Sequence, residues 1–280
     1  MRLVAVGDNI TDCYPAAGQM FPGGNCVNVA VHAARTGAKS SYIGAIGRDE
    51  RGAQLRDALD AEGVDATRLR VLDGPTGYAT VLHRDGERSF GAYDRGVAPF
   101  ALDDADLDFI AEHDVAHSSY AAGLDQQLAD IADRVPLSFD FDAHAGDDYA
   151  RLVIPHVTYA FFSASHLTVP ATEDLLHWAC DESGVRVALA TRGSAGAMLY
   201  DGDDLVVQPA IPVDTVDTLG AGDAYIANVL AGLWADLPTA ETLRRAAEEA
   251  ASVCTRLGAF GYPLALSGTR PQQLTTPLKE

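Results

Sequence analysis

Short apolar runs suited to buried strands alternate with helical patterns along most of the 280 residues. This alternation constrains the fold most, because parallel strands need long crossover connections and those are usually helices. Leu3–Gly7 predicts a buried strand. Asn25–Thr36 predicts a helix, with Val27, Ala30, Val31 and Ala34 at helical spacing and Gly37 ending it. Ser41–Ile46 predicts the next strand, and Arg51–Glu62 a helix closed by Gly63. Val115–Ser118, Leu137–Phe141, Val157–Phe161 and Val185–Ala190 predict four more strands, separated by helices near 124–134, 147–153 and 171–182. The rhythm is that of βαβ units: an α/β fold with a doubly wound, mostly parallel sheet covered by helices.

One region departs from this rhythm. Thr76–Leu82 and Arg88–Tyr93 alternate β-formers with polar residues about an Asp85-Gly86 turn, which predicts a hairpin. Its half-polar character suits a small exposed sheet, and segment 12–22 is expected to join it. Segments 12–22 and 76–96 are therefore read as a β lid or dimerisation flap inserted in one domain spanning 1–262. A second hairpin turn, Asp201-Gly202, follows the strand Ala197–Tyr200. Helices are expected at 221–235 and 239–257. Residues 266–280, with Pro271 and Pro277, lack periodicity and read as a loose C-terminal tail.

Charge and residue usage narrow the function. Lys and Arg number 20 against 40 Asp and Glu, a net charge of −20. Such a chain repels nucleic-acid backbone and anionic membrane, so neither is an expected partner. The only lysines are Lys39 and Lys279. Neither lies in a Gly-Lys-Ser/Thr, so a Walker-A loop is excluded, as is a protein kinase's strand lysine. Cys13, Cys26, Cys180 and Cys254 have no paired spacing, which argues against a disulfide framework or a zinc ribbon. The first apolar run is too short for a signal peptide, and no stretch approaches the roughly 20 apolar residues that span a bilayer. The expected location is the cytoplasm. His113 and His117 flank a strand-like stretch and do not form a metal-ligand pattern.

Four segments carry chemistry. Asp217-Thr218-Leu219-Gly220-Ala221-Gly222-Asp223 precedes an apolar helix. Unpaired N–H groups at a helix start, unobstructed by side chains, form an anion site. A carboxylate there would compete with the anion unless it acts beside it, taking a proton from a hydroxyl that attacks a phosphoryl group. The competing reading is an acid that merely complements the helix dipole. Thr191-Arg192-Gly193-Ser194-Ala195-Gly196 is a second small-residue turn, able to approach phosphate or simply to connect two strands. Gly23-Gly24-Asn25-Cys26-Val27-Asn28 opens a helix with amides that suit hydroxyl-rich ligands; here a cap and a solvated face are the alternatives. Gly7-Asp8-Asn9-Ile10-Thr11-Asp12 follows the first strand, where open α/β sheets bind ligands, or is a generic acidic loop.

These segments, with Gly44-Ala45-Ile46-Gly47-Arg48-Asp49 and Gly52, follow one another in the order seen in PfkB-type (ribokinase-like) carbohydrate kinases. The resemblance covers about residues 1–262. Within the family, the opening Gly-Asp-Asn-x-x-Asp, the Gly-Gly-Asn-x-Val-Asn-Val-Ala segment and Phe139-Asp140-Phe141 most resemble the fructoselysine 6-kinase group. The resemblance implies an ATP-dependent sugar kinase of ribokinase-like fold with Asp223 as general base. It implies that the N–H groups of Gly220, Ala221 and Gly222 form an anion hole. Asp12, Gly23, Gly24, Asn25 and Asn28 match sugar-binding positions, with Asp8 a further candidate. Thr191, Gly193 and Gly196 match the nucleotide phosphate turn. Asp217, the Leu219 carbonyl and Gly258 match a monovalent-cation site, so K⁺ is implied beside ATP and Mg²⁺. The lid implies a homodimer.

The chain departs from the family where Asn-x-x-Glu usually helps hold magnesium through water; here the residues are Ser163-Ala164-Ser165-His166. The substrate expected first is fructoselysine or a related fructosamine, phosphorylated on a primary hydroxyl. A fructokinase or other small-sugar kinase is the alternative. A non-catalytic sugar- or nucleotide-binding relative is a second alternative, against which the presence of Asp223 counts. A dinucleotide-dependent oxidoreductase finds no Gly-x-Gly-x-x-Gly after the first strand.

Overall fold

The computed structural model describes residues 1–84 and 87–266. Its strands and helices run in chain order β1 Arg2–Val6, β2 Ile10–Tyr14, β3 Gln19–Gly23, α1 Asn25–Arg35, β4 Lys39–Gly47, α2 Glu50–Ala61 and β5 Asp65–Leu72. β6 Thr76–Arg84, β7 Glu87–Gly96, α3 Asp104–Ile110, β8 Val115–Ser119, α4 Leu128–Ala132, β9 Leu137–Asp140 and α5 Asp148–Val153 follow. The chain continues with β10 Tyr159–Ser163, α6 Val169–His177, β11 Val187–Thr191, β12 Ala197–Tyr200, β13 Leu205–Gln208, α7 Ala221–Trp234, α8 Thr239–Val253 and β14 Leu264–Ala265.

Nine strands form one sheet in the order β13-β12-β11-β10-β9-β8-β1-β4-β5. All pairs from β11 to β5 are parallel, and the β11–β12 and β12–β13 pairs are antiparallel. Neighbouring residues of a strand point to opposite faces. In β1, Leu3, Val4, Ala5 and Val6 are all fully buried, so both faces of the sheet are covered. Each such Leu or Val contributes about 1.5–3 kcal/mol by leaving water. Helix α1 packs on β1, β4 and β8 and against α7, which packs against α8. The strand order reverses at β1, between β8 and β4, which opens a crevice at the carboxyl ends of these strands.

The second sheet has the order β14-β3-β2-β6-β7 and is separate from the first. It contains the expected hairpin as β6 and β7, and segment 12–22 as parts of β2 and β3. The expected Asp85-Gly86 turn lies outside the described residues, as does the tail after Leu266. Tyr14, Phe21 and Val81 form a small apolar cluster with Leu219 and Leu257, which seats this sheet on the main body.

Some elements differ from the sequence reading. β10 and β11 start two residues later than expected, because Val157 and Val185 lie in buried turns ahead of them. The edge strand β5 and helix α3 were not expected. They are joined by ion pairs: Arg68 and Arg70 both reach the fully buried Asp106, which also completes a capping box at the start of α3. Leu264 and Ala265 pair with β3 and so extend the second sheet. Among the described residues, no helix is long and apolar enough to cross a membrane.

Candidate active site

A cavity of about 520 Å³ opens between the carboxyl ends of the main strands and the second sheet. It is lined by Asp8 after β1, Ser119 at the end of β8, Asp140 at the end of β9 and Ser163 at the end of β10. The N-terminal turns of α1 and α7 supply Gly24, Asn25, Asn28, Gly220, Gly222 and Asp223.

The start of α1 is built by a remote cap. Gly24 is the N-cap, with φ 106, and a Cβ there would lie 2.6 Å from the Asn9 Cα. Only glycine fits that approach. Asp8 serves the helix in place of a capping side chain. Its carboxylate accepts the N–H of Asn25 at 2.8 Å, the N–H of Cys26 at 3.3 Å and the Ser119 hydroxyl at 3.1 Å. Asp8 therefore complements the helix dipole while lining the cavity.

Asn25 and Asn28, three residues apart, project from the same face of α1. The Asn25 Nδ2 donates to Asp140 Oδ2 at 2.7 Å and to Asp223 Oδ1 at 2.8 Å. The Asn28 Nδ2 donates to Asp223 Oδ2 at 2.6 Å. Both oxygens of Asp223 are thus held by amide donors. The alternative of Asn25 as a cap and Asn28 as a solvated face is not what forms: Asn25 is the first helical residue and Asn28 is buried.

Asp223 lies in the first turn of α7, partly open to the cavity and otherwise surrounded by protein. Burial holds its carboxyl well above the usual range, reinforced by the negative charges of Asp140 and Asp8 and opposed by the two amides. Asp140 is pushed up to about 7, chiefly by burial. Gly220, the N-cap of α7, has φ 80, and a Cβ there would meet Ala259 Cβ at 2.4 Å. The Ala221 N–H is turned to the Thr218 carbonyl at 3.3 Å.

The remaining expected site residues are dispersed around this centre. Asp12 is buried and lines the cavity; a Cβ on Gly23 would lie 2.1 Å from its carboxylate, so Gly23 makes room for Asp12. Thr191, Gly193 and Gly196 lie outside the cavity lining, one strand beyond Ser163, with which Thr191 is in register. Gly196 also has a packing reason, since a Cβ would meet the Gln208 carbonyl at 2.0 Å. Asp217 is buried and accepts the Tyr14 hydroxyl and, at 3.2 Å, the Leu219 N–H. Gly258 lies against the Phe21 ring.

Sequence reasoning missed Tyr93, Tyr120 and the part played by His117. Arg95, on β7, spends its guanidinium on the Ala121 and Ala122 carbonyls at 2.8 and 3.1 Å, tying the second sheet to the turn after β8. Tyr93 and Tyr120 line the cavity as exposed rings. His117, considered only as a metal ligand, reaches Asn25 at 2.9 Å from inside the sheet. Among the described residues, no cluster of three or more His, Cys, Asp or Glu could hold a metal.

The cavity thus combines several acids, one cation that is already engaged, amide donors, and a carboxylate at a helix start. Such a surface suits a hydroxyl-rich or cationic molecule and offers Asp223 as a proton acceptor at a helix start. Residues 2–263 match the family described as pfkB family carbohydrate kinase. The chain is 42% identical over 267 residues to fructosamine kinase FrlD of Bacillus subtilis (strain 168), covering 94% of each protein. It is 31% identical to fructoselysine 6-kinase of Escherichia coli (strain K12), covering 92% of this chain and 99% of that one. The solved structure of Arabidopsis thaliana ribokinase complexed with ribose and ATP superposes with a TM-score of 0.80 at 25% identity, covering 92% of this chain and 94% of the other. On a match that runs almost from end to end, the chain belongs to the pfkB family of carbohydrate kinases.

Proposed function

We propose that this ATP-dependent sugar kinase phosphorylates a primary hydroxyl of a fructosamine, fructoselysine or a close analogue, with Asp223 as general base. The observation that carries the proposal is Asp223 itself: a carboxylate at the start of α7, held by Asn25 and Asn28, at the floor of an acid-lined cavity. The names of the two relatives above support the substrate class. In the proposed reaction the hydroxyl gives its proton to Asp223 as its oxygen bonds to the γ-phosphorus, and the bond to the bridging oxygen of ADP breaks. The N–H groups of Gly220 and Gly222 would meet the charge that develops, whereas that of Ala221 is turned to the Thr218 carbonyl. Residues 1–262 act as one kinase domain, and the second sheet acts as a lid that keeps water from the γ-phosphoryl group. A coupled ADP-release assay over fructosamines, plain ketoses and nucleosides tests this. Release dependent on a fructosamine supports it, and release only with another class excludes it.

The ionisation of Asp223 sets a pH dependence. The base must be deprotonated, and burial together with Asp140 and Asp8 holds its proton on. Activity should therefore rise with pH along a limb well above the ordinary carboxylate range. Asp140→Asn removes one neighbouring negative charge and should move that limb of the kcat/KM profile to lower pH. An unmoved limb would separate Asp140 from the ionisation that governs the rate.

Magnesium, when bound with the nucleotide, neutralises charge on the β- and γ-phosphates. Ser163 lines the cavity. We expect the double variant Ser163→Asn, His166→Glu to reach half-maximal rate at lower Mg²⁺, read from a metal titration. Unchanged dependence would show that these positions do not approach the metal. The potassium assignment fits less well, because the Asp217 carboxylate is already engaged by Tyr14 and by the Leu219 N–H. A lid-to-lid homodimer is supported by β7 being an edge strand that bears exposed Phe90 and Tyr93. The need for ATP supports action in the cytoplasm.

A further inference from the structure

We propose that His117, with Ser138 behind it, is a positioning residue that fixes which end of the Asn25 amide faces Asp140 and Asp223. The inference rests on the reading of Asp223 as base.

His117 and Ser138 are register partners on the adjacent parallel strands β8 and β9, and both are fully buried. The Nδ1 of His117 lies 2.8 Å from the Ser138 hydroxyl, and its Nε2 lies 2.9 Å from the Asn25 Oδ1. The donors and acceptors in this row permit one consistent assignment. With Asp140 and Asp223 ionised, the state in which Asp223 can act as base, both groups only accept, so the NH₂ of Asn25 must face them. Its carbonyl therefore faces His117, and Nε2 must carry a hydrogen. Burial keeps the ring neutral, with its pKa lowered to about 3, so Nδ1 has a lone pair and takes the Ser138 hydroxyl hydrogen. The result is a one-way row of donors: Ser138 to His117, His117 to Asn25, and Asn25 to both carboxylates.

Reversing the amide would break the row at both ends. The Asn25 carbonyl would face two carboxylates at less than 3 Å, and its NH₂ would face the Nε2–H. With His117 in place, the two hydrogens of one planar group hold two carboxylates at a fixed separation. Together with Asn28 they fix the plane of Asp223, and so the direction in which its remaining lone pairs meet a hydroxyl. The role falls outside metal binding, and no substrate atom needs to touch the imidazole.

The test measures kcat and both KM values for His117→Phe, His117→Gln and Ser138→Ala, beside Asp223→Asn. Phe fills the space without a donor, whereas the amide nitrogen of Gln can take the place of Nε2. A base displaced by about 1 Å can lose about a hundredfold in rate. We expect His117→Phe to lose about that much in kcat with the KM for ATP unchanged, and His117→Gln to recover most of the loss. Ser138→Ala frees the ring to adopt the other tautomer, and should lose about tenfold, near the worth of one hydrogen bond. Wild-type kcat in His117→Phe would overturn the proposal, as would a folded His117→Gln that falls as far as His117→Phe. If His117→Phe fails to fold, Ser138→Ala and His117→Gln decide, with wild-type kcat in Ser138→Ala overturning it. Full activity in Asp223→Asn would instead overturn the base itself, while an inactive Asp223→Asn beside an unaffected His117→Phe would overturn the positioning role alone.

Discussion

Asp223→Asn is expected to lower kcat by about 10²–10⁴, the usual cost of losing a general base. That corresponds to about 3–5.5 kcal/mol of barrier. The amide keeps the shape of the carboxylate but cannot accept a proton from an attacking hydroxyl. Nucleotide binding should persist, because the Thr191–Gly196 turn lies outside the cavity that contains Asp223. Stability separates this role from a helix-dipole role. If Asp223 served only the dipole of α7, its loss would lower the Tm and leave kcat alone. The raised pKa points the other way. A carboxyl whose folded pKa lies above its unfolded value is most favourable to folding at acid pH, and that advantage is lost as pH rises through the folded pKa. Above the unfolded pKa the group therefore opposes folding, and the neutral amide should leave the Tm at neutral pH unchanged or higher. Coupled ADP release, calorimetric nucleotide titration and thermal unfolding together read the outcome. Near wild-type turnover would exclude Asp223 as the base.

The parts of this site legible in the sequence are those made by local geometry. Small residues and a carboxylate at the start of α7, or glycines and amides at the start of α1, announce an open helix terminus wherever they occur. The alternation of strands and helices places those termini at the same end of a parallel sheet. Asp8 stands out in the sequence as an acid just past the first strand, but its service to the N–H groups of Asn25 and Cys26 depends on how β1 sits beside α1. His117 is harder still. Its neighbours in the chain suggest nothing, and its meaning comes from Asn25, 92 residues away, and from the register of β8 with β9. β5 escaped notice because its sequence is polar and its burial partial, and its place at the sheet edge is secured by Arg68 and Arg70 on Asp106, not by an apolar face. The second sheet was legible as a hairpin through its alternation. Its closure by Leu264 and Ala265 was not, since two residues have no period.

Fructoselysine is expected to be preferred over fructose by at least about tenfold in kcat/KM. The two share a sugar, and fructoselysine adds a lysine whose secondary ammonium sits next to that sugar, so a variant of the acid that faces the nitrogen is needed to isolate this one charge. If the hydroxyl that reacts sits at Asp223, a nitrogen at the far end of the carbon chain lies away from that floor. Not every acid in the cavity is equally available to it. Asp8 is committed to the start of α1, and Asp140 and Asp223 share the Asn25 amide. Asp142 lines the cavity just past β9, with φ 51 turning it out of the strand, and is the acid we assign to the nitrogen. Phe90, Tyr93 and Tyr120 line the same cavity, 43–47% exposed, and ring faces attract a cation. Arg95 would oppose it, but its guanidinium is drawn onto the Ala121 and Ala122 carbonyls. One charge-assisted hydrogen bond is worth about 1.5–3 kcal/mol, or about 10–150-fold in kcat/KM. The preference should weaken in high salt, since the mouth of the cavity is open to ions. Asp142→Asn should reduce the preference with little change in the turnover of fructose, because fructose has no cation to lose. Equal or better turnover of fructose by the wild-type protein would place the chain among plain ketose kinases while leaving Asp223 in its role.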